Sequence, residues 1–469
     1  MSQYGGAFQG TYCCELFPKV AKVLQWQFSF LDLFLKVPAA FVLPLGKEQL
    51  RLGKMMKTIV IGAGAIGLSS AYYLRKNGIE VTVIDVGQPG SKASGHNAGW
   101  VVPSMSTPVP APGMLPQALR WMLRNDSPLY VSPSISPRYV SFMMEMLRNC
   151  TTARFEAGLK VLAGLSSDTL ELFDDLVRDG VVFEMHSDPL TMLYTSRASL
   201  DKHAVELQSM ETHISGFEWR SVEGDDLGRE FPQVKSNVVG ALQTYGDRSL
   251  DPESFTRGLT EACRRDGVEF RLGHAARLRI ETDDSVAVVV GQEVLKADKV
   301  VVAAGVWTNN ILAGIGSRIS LISGKGYGYD LPLHPDAPKH PMYLSEAKVA
   351  ITPLDNKVRI AGTMGFGGIN EGISRSRAGG LLKSLPGYFK DWPSLPTPPE
   401  PWTGLRPMTP DGLPIIGRSK ERSDVLIATG HAMLGVSLAP PTGLLIAKMA
   451  AGEAASVHIS SLAADRFLS

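Results

Sequence analysis

The chain has 469 residues, with 44% hydrophobic and 20% charged content and a formal net charge of +1. This profile suits a globular enzyme with room for two domains and lacks the basic footprint of a nucleic-acid binder. The four cysteines, Cys13, Cys14, Cys150 and Cys263, make no C-x-x-C pair. They indicate neither a zinc site nor a disulfide scaffold, and they fit a reducing, cytoplasmic setting.

Residues 1–54 differ from the rest. WQFSFLDLFLKVPAAFVLPLG at 26–46 is rich in Phe and Leu, but Asp32, Lys36, Pro38 and Pro44 interrupt it. A membrane span needs about 20 mostly apolar residues, and the basic start and cleavage site of a signal peptide are missing. The expectation is a disordered extension outside the fold, with Met55 or Met56 as the functional start. A helix lying on a membrane surface is the alternative.

Residues 57–85 read KTIVIGAGAIGLSSAYYLRKNGIEVTVID. Thr58–Ile61 is a β-branched run typical of a buried strand. Gly62, Gly64 and Gly67 form G-x-G-x-x-G, and Ala65-Ile66 open a helical pattern that Asn77-Gly78 stops. Glu80–Ile84 predicts a second strand ending at Asp85. Gly62 allows the tight turn, Gly64 the approach of a pyrophosphate, and Gly67 with Ala71 close helix–strand packing. The helix N-terminus faces the phosphates and Asp85 accepts from the ribose hydroxyls. A bare glycine triplet is weak evidence, but strand, triplet, helix, strand and acid in register are specific for a dinucleotide. The fingerprint does not separate FAD from NAD. No second triplet follows, which favours one tightly held dinucleotide as the redox group.

Farther along, SGHNAGWVVPSMSTP occupies 94–108, and residues 138–180 show apolar positions at helical spacing. Short alternating stretches at 190–245 and 340–363 predict hairpins. DPESFTRGLTEACRRDG at 251–267 predicts an amphipathic helix capped by Asp251, with Pro252 in its first turn. DKVVVAAGVWTN at 298–309 reads as a strand entering a small-residue turn at Ala303-Ala304-Gly305, before Trp307. SGKGYGYDL contains Lys325, Tyr327 and Tyr329. TGLRPMTPDGLPIIG at 403–417 sets Arg406 in an apolar, proline-stiffened stretch. At 424–447, a strand Val425–Ala428 meets the turn Gly430-His431-Ala432-Met433-Leu434-Gly435 and a helix from about Thr442.

TIVIGAGAIG, SGHNAGWVVPSMSTP, WMLRN at 121–125, MLRNC at 146–150, VVVAAGVWT, TGLRPMTPDGLPIIG and GHAMLGVSLAPPTG together resemble the D-amino-acid dehydrogenase branch of the FAD-dependent amine oxidoreductases. That family includes D-amino-acid, glycine and sarcosine oxidases. The resemblance covers residues 56–452. It implies an α/β protein with a Rossmann-like FAD domain assembled from discontinuous segments (55–105, 248–322 and 402–455). An α+β substrate domain on an antiparallel sheet follows from 106–247 and 323–401.

The resemblance also implies roles. Arg406, in G-L-R-P, grips the substrate carboxylate, for which a planar guanidinium fork is suited and lysine is not. The α-hydrogen then faces flavin N5, and placement with charge complementation does most of the work. Tyr327 and Tyr329 are candidates to bind the carboxylate or close the site, against a reading as core tyrosines. Gly62, Gly64, Ala65, Ile66, Gly67, Asp85, His96, Asn97, Ala98, Gly99, Ala304, Gly305, Trp307, Gly430, His431, Leu434 and Gly435 are the expected flavin contacts.

The sequence departs from its relatives in two places. Glycine oxidases carry a second arginine in the GH-x-x-x-G turn, and this chain has none. His96 stands where D-amino-acid dehydrogenases have a small residue. In dimethylglycine and sarcosine dehydrogenases a histidine at a similar spot is joined to the flavin, so a histidyl-flavin bond competes with an ordinary loop histidine. The nine histidines include no H-x-x-x-H or H-x-H pair for a metal. The implied reaction is oxidation of a D-amino acid, D-proline and D-hydroxyproline included, with electrons passing to a quinone or another carrier and at most peripheral membrane contact. A peroxide-forming glycine/sarcosine-type oxidase, a non-catalytic flavin-binding protein and a nicotinamide-dependent dehydrogenase are the alternatives.

Overall fold

Five parallel strands and one antiparallel strand form the first sheet, in the order Glu269–Leu272, Glu80–Asp85, Lys57–Ile61, Lys299–Val302, Val425–Thr429, Ile415–Arg418. The computed structural model describes residues 55–113, 129–131, 136–211, 217–392, 399–453 and 459–467. The expectations for residues 1–54 and for WMLRN at 121–125 lie outside them.

The central strands read as unbroken apolar runs because both faces of a parallel sheet are covered. Helices Ala65–Lys76, Pro252–Arg265 and Ala439–Ala451 bury one face with Leu68, Phe255 and Ile446. Val288, Leu312 and Ile315 bury the other. Ile61 pairs with Val302, and Val302 with Ile427, so strands from three distant segments end level with one another. Ligands of such sheets bind at those carboxyl ends.

The expected cap of Pro252–Arg265 is present, with the Asp251 carboxylate accepting from the Glu253 and Ser254 amides. The last helix begins at Ala439, ahead of the expected Thr442. Pro440 and Pro441 fit its first turn, where no amide donor is needed.

The second sheet has nine strands, in the order Trp402–Met408, Ile322–Pro332, Lys357–Gly367, Val349–Pro353, Met342–Leu344, Leu190–Tyr194, Gly240–Tyr245, Glu218–Val222, with Leu129–Val131 also pairing with Lys357–Gly367. The expected hairpin within 340–363 is the antiparallel pair Val349–Pro353 and Lys357–Gly367. The stretch 190–245 differs from a run of hairpins, because helices Arg197–Met210 and Gly224–Glu230 lie between its strands. Leu200, Leu207 and Met210 give the longer helix its buried stripe, and the Ser196 hydroxyl accepts from the Ser199 amide at its start. Trp402–Met408, grouped by sequence with the nucleotide segments, is the edge strand of this second sheet.

Alternation along Ile322–Pro332 divides its side chains. Tyr327, Tyr329 and Leu331 pack with Ile360, Leu381 and Leu385 beneath helix Arg375–Ser384. Gly324, Gly326 and Gly328 face the other way, toward Arg406, Met408 and Trp402. No described helix is long and apolar enough to cross a membrane.

Candidate active site

A cavity of about 530 Å³ runs from the glycine-rich turn to Arg406. Gly62, Gly64, Ile66 and Asp85 line one end, and Ala304, Gly305, Trp307, Thr429, His431, Gly435 and Arg406 line the rest. Gly62 has φ +114°, and a Cβ there would lie 2.8 Å from the Ala303 carbonyl carbon, so only glycine serves at this crossing of two strands. Helix Ala65–Lys76 begins at Gly64, which offers no side-chain cap of its own; Ser94 takes the Ala65 amide, and the Ile66 amide at the cavity is left for an anion. Asp85 accepts from the Ala63 and Gly87 amides at 2.7 and 2.8 Å, which fixes its carboxylate at the cavity wall.

Other expected contacts serve as framework. The Ala65 amide donates to Ser94 Oγ at 2.9 Å. Gly67 packs on the Gly62 carbonyl. The Ala98 carbonyl accepts from Thr352 Oγ1 at 2.7 Å, and the Gly99 amide donates to Asn97 Oδ1 at 2.8 Å. Gly430 packs on Thr409, and Leu434 belongs to the core. None of these six lines the cavity.

The loop carrying His96 and Asn97 is held by a stacked column. Arg359, fully buried, makes a two-pronged bond to Asp330 at 2.8 Å for each prong. Its Nη1 donates to the Gly95 and Asn97 carbonyls at 2.9 and 3.3 Å. Burial opposes the Asp330 charge, yet the Arg359 fork keeps its pKa below the usual carboxylate value. Trp402 lies over the guanidinium at 5.3 Å, and His96 stacks on Trp402 with centroids 5.5 Å apart. Burial lowers the His96 pKa, so its imidazole enters the site neutral.

Arg406 is placed differently. Its Nη1 donates to the Thr363 carbonyl at 2.9 Å and lies 3.9 Å from Met364 Sδ, and no carboxylate among the described residues pairs with it. Burial pulls its pKa down to about 10, with Tyr343 pulling weakly the other way, so it stays charged at neutral pH. A half-buried guanidinium with one neutral acceptor is a site prepared for an anion. Thr363 stands at φ +63° where the pairing of Lys357–Gly367 with Ile322–Pro332 slips register. This bulge aims its carbonyl at Arg406, a use of strain common beside active sites.

Tyr327 and Tyr329 lie on the opposite face of their strand from Gly326 and Arg406, in the core under helix Arg375–Ser384. The tyrosine on Arg406's side is Tyr343, which sequence reasoning passed over. It points away from its core neighbours Met342 and Leu344 and packs edge-on against Trp100 at 5.8 Å. Burial raises its pKa, while Arg406 lowers it. The signal was the alternation in PMYLSEAKVAI, which sends Tyr343 to one side and Met342 to the other. His431 is buried, with Nε2 3.0 Å from Thr442 Oγ1, and burial pushes its pKa down to about 3. It therefore stays neutral and shapes the turn. Sequence also missed His274 and Ala275, in the loop after Glu269–Leu272, and Ala276, which opens the strand Ala276–Ile280; all three line the Asp85 end of the cavity. Glu184 and His186, two residues apart, converge with the distant Asp355, but the three already hydrogen-bond among themselves.

Residues 57–449 match the family described as DAO, FAD dependent oxidoreductase. The chain belongs to this family of FAD-dependent oxidoreductases, and FAD is its cofactor; the glycine-started helix, the Asp85 wall and the long cavity fit that group. The chain is 33% identical over 421 residues to a D-amino acid dehydrogenase of Xanthobacter autotrophicus, covering 88% of this chain and 99% of the relative. A D-amino acid dehydrogenase of Bradyrhizobium diazoefficiens is 32% identical over 419 residues, with the same coverage. Among solved structures, glycine oxidase from Geobacillus kaustophilus superposes with a TM-score of 0.67 at 18% identity, over 88% of this chain and 99% of that one. L-proline dehydrogenase from P. horikoshii gives 0.63 at 19% identity, over 89% and 99%. These two share the fold.

Proposed function

We propose that the protein oxidises a D-amino acid at its α-carbon to the 2-imino acid, which water hydrolyses to a 2-oxo acid and ammonia. A cyclic substrate such as D-proline would stop at the cyclic imine. The substrate's Cα–H bond is broken, with two electrons and one proton leaving together and a second proton leaving from nitrogen. FAD supplies the two-electron acceptor when bound, and a quinone or similar carrier takes the electrons onward. Arg406 and Tyr343 bind and orient the carboxylate, the stacked loop at His96 and Asn97 forms a wall, and the apolar lining excludes water.

The observation that carries this reading is the Arg406 guanidinium, half-buried, charged and without an acidic partner among the described residues, at the end of the flavin cavity. The dehydrogenase relatives supply the choice of D-amino acids and of a carrier over oxygen. Domain boundaries near 105, 247, 322 and 401 belong to the same reading, with the edge strand Trp402–Met408 moved to the substrate side. Anaerobic mixing of the purified holoprotein with D-alanine or D-proline should bleach the flavin absorbance, while L-alanine should not. A flavin that stays yellow with every D-amino and imino acid of a broad panel would refute it.

A further inference from the structure

On the other face of the large sheet, back to back with Arg406, lies a second cavity of about 420 Å³. Lys325, Tyr327, Thr363, Gly365, Ser374 and Arg377 are among its lining. Two cations enter it without a direct ion pair among the described residues; the acid nearest in effect to Lys325, Glu371, is itself paired with Lys92. Lys325 Nζ donates to the Gly372 carbonyl at 2.6 Å. Its cross-strand neighbour is Gly365, so no side chain covers it on that side. Arg377 Cζ lies over the Tyr130 ring, 3.6 Å from its centre, a contact that uses none of its N–H groups as hydrogen-bond donors to a side chain. The Thr363 hydroxyl is buried without a hydrogen-bond partner. Helix Arg375–Ser384 adds the positive end of its dipole, and the side chain of its first flanking residue, Ser374, caps none of its amides.

We propose that this cavity is a binding site for a small organic carboxylate, held by Lys325 and Arg377 with Thr363 as a further donor. Burial lowers the Lys325 pKa, and a bound anion would reverse that cost. The cavity has room for more than a single inorganic ion, and Tyr130 and Tyr327 offer apolar walls to a carbon chain. Because Lys325 and Tyr327 face away from Arg406, the ligand is a separate molecule rather than the tail of the substrate. Thr363 joins the two sites, lining this cavity while its carbonyl supports Arg406.

Glutarate serves as the probe, titrated calorimetrically into holoprotein carrying Arg406→Met so that binding at Arg406 is removed. We expect saturable binding that weakens with added salt and falls at least tenfold when Lys325→Met or Arg377→Met is added. Absence of saturable binding, or binding that both substitutions leave unchanged, would overturn the site. Should Arg406→Met lose its flavin, the same titration in the wild-type background gives the answer: two bound molecules, falling to one with Arg377→Met, support it, and an unchanged stoichiometry and affinity refute it. The readout needs no turnover, so it stands apart from the amino-acid reading. As a separate arm, D-glutamate and D-alanine should show KM values altered in equal proportion by Arg377→Met. A change confined to D-glutamate would show that the substrate's own tail enters, and would overturn the separate ligand.

Discussion

Gly326 and Arg406 are in direct apposition: a Cβ built on Gly326 would lie 2.7 Å from Arg406 Cζ. The guanidinium rests flat on a glycine of the neighbouring strand, and no larger residue leaves it there. Gly326→Ala is therefore expected to leave flavin content intact while moving the guanidinium. A displacement of about 1 Å near a reacting centre costs on the order of 100-fold in rate. Steady-state kcat/KM with an artificial dye acceptor checks this, and near-normal efficiency would mean the observed seat of Arg406 is not needed.

Arg406→Lys keeps the charge and removes the fork. Charge-assisted hydrogen bonds contribute roughly 1.5–3 kcal/mol each, and about 1.4 kcal/mol is tenfold. The substitution should lower kcat/KM for a D-amino acid by about 100-fold or more at unchanged flavin content. Tyr343→Phe removes one donor from the same side and should raise KM about tenfold, with a smaller effect on kcat. Tyr327→Phe, on the far face, should change neither by more than about twofold. If Tyr327→Phe were the damaging variant and Tyr343→Phe silent, the assignment of the two faces would be reversed.

The column from Asp330 through Arg359 and Trp402 to His96 predicts how the flavin is held. Breaking a buried pair by removing one partner costs about 3–5 kcal/mol. Arg359→Met should therefore lower the unfolding midpoint and, by freeing Gly95 and Asn97, release flavin on dilution. Acid precipitation of the wild type should leave the yellow colour in the supernatant. A yellow pellet would instead place a covalent bond at His96.

Much of the nucleotide half was legible because its signals are local. Gly62, Gly64 and Asp85 lie within one strand–helix–strand unit, and each has a steric or polar task set by its immediate neighbours. Arg406 was legible as an odd cation in an apolar stretch, but its surroundings were not. Gly326 and Thr363 reach it through strand pairing and a bulge, and Tyr343 acts on it electrostatically from a strand that does not pair with its own, none of which sequence spacing encodes. The tyrosines at 327 and 329 drew notice for their type, while the face they occupy depends on register. Helix Arg197–Met210 was overlooked because alternating polarity at its flanks masked the longer helical spacing of Leu200, Leu207 and Met210.

His431, half-buried His203 and buried Asp247 tilt the stability profile between about pH 6 and pH 4.5. His431 and His203 are pushed down to about 3 and about 4 by burial, with Lys348 and Lys202 adding to the effect on His203. Their unfolded-state values lie near 6.5. As pH falls below that value the unfolded chain binds protons that the folded one does not, so each imidazole lowers stability by about 1.4 kcal/mol per pH unit. Asp247 works in the opposite sense. Burial raises its pKa to about 6, although Ser104 and Thr244 donate to it. The folded state therefore holds a proton that the unfolded state gives up, and stability rises as pH falls across the same window. These three together contribute a net loss equivalent to about one proton, and His96, also lowered by burial, adds to the loss in the same sense. Denaturant unfolding of the holoprotein at several pH values in this window should show that slope. Asp247→Asn should steepen it by about one proton, and His431→Gln should flatten it by about one, whatever either substitution does to stability at pH 7. Equal slopes in all three proteins would show that these buried groups titrate as they do in the unfolded chain.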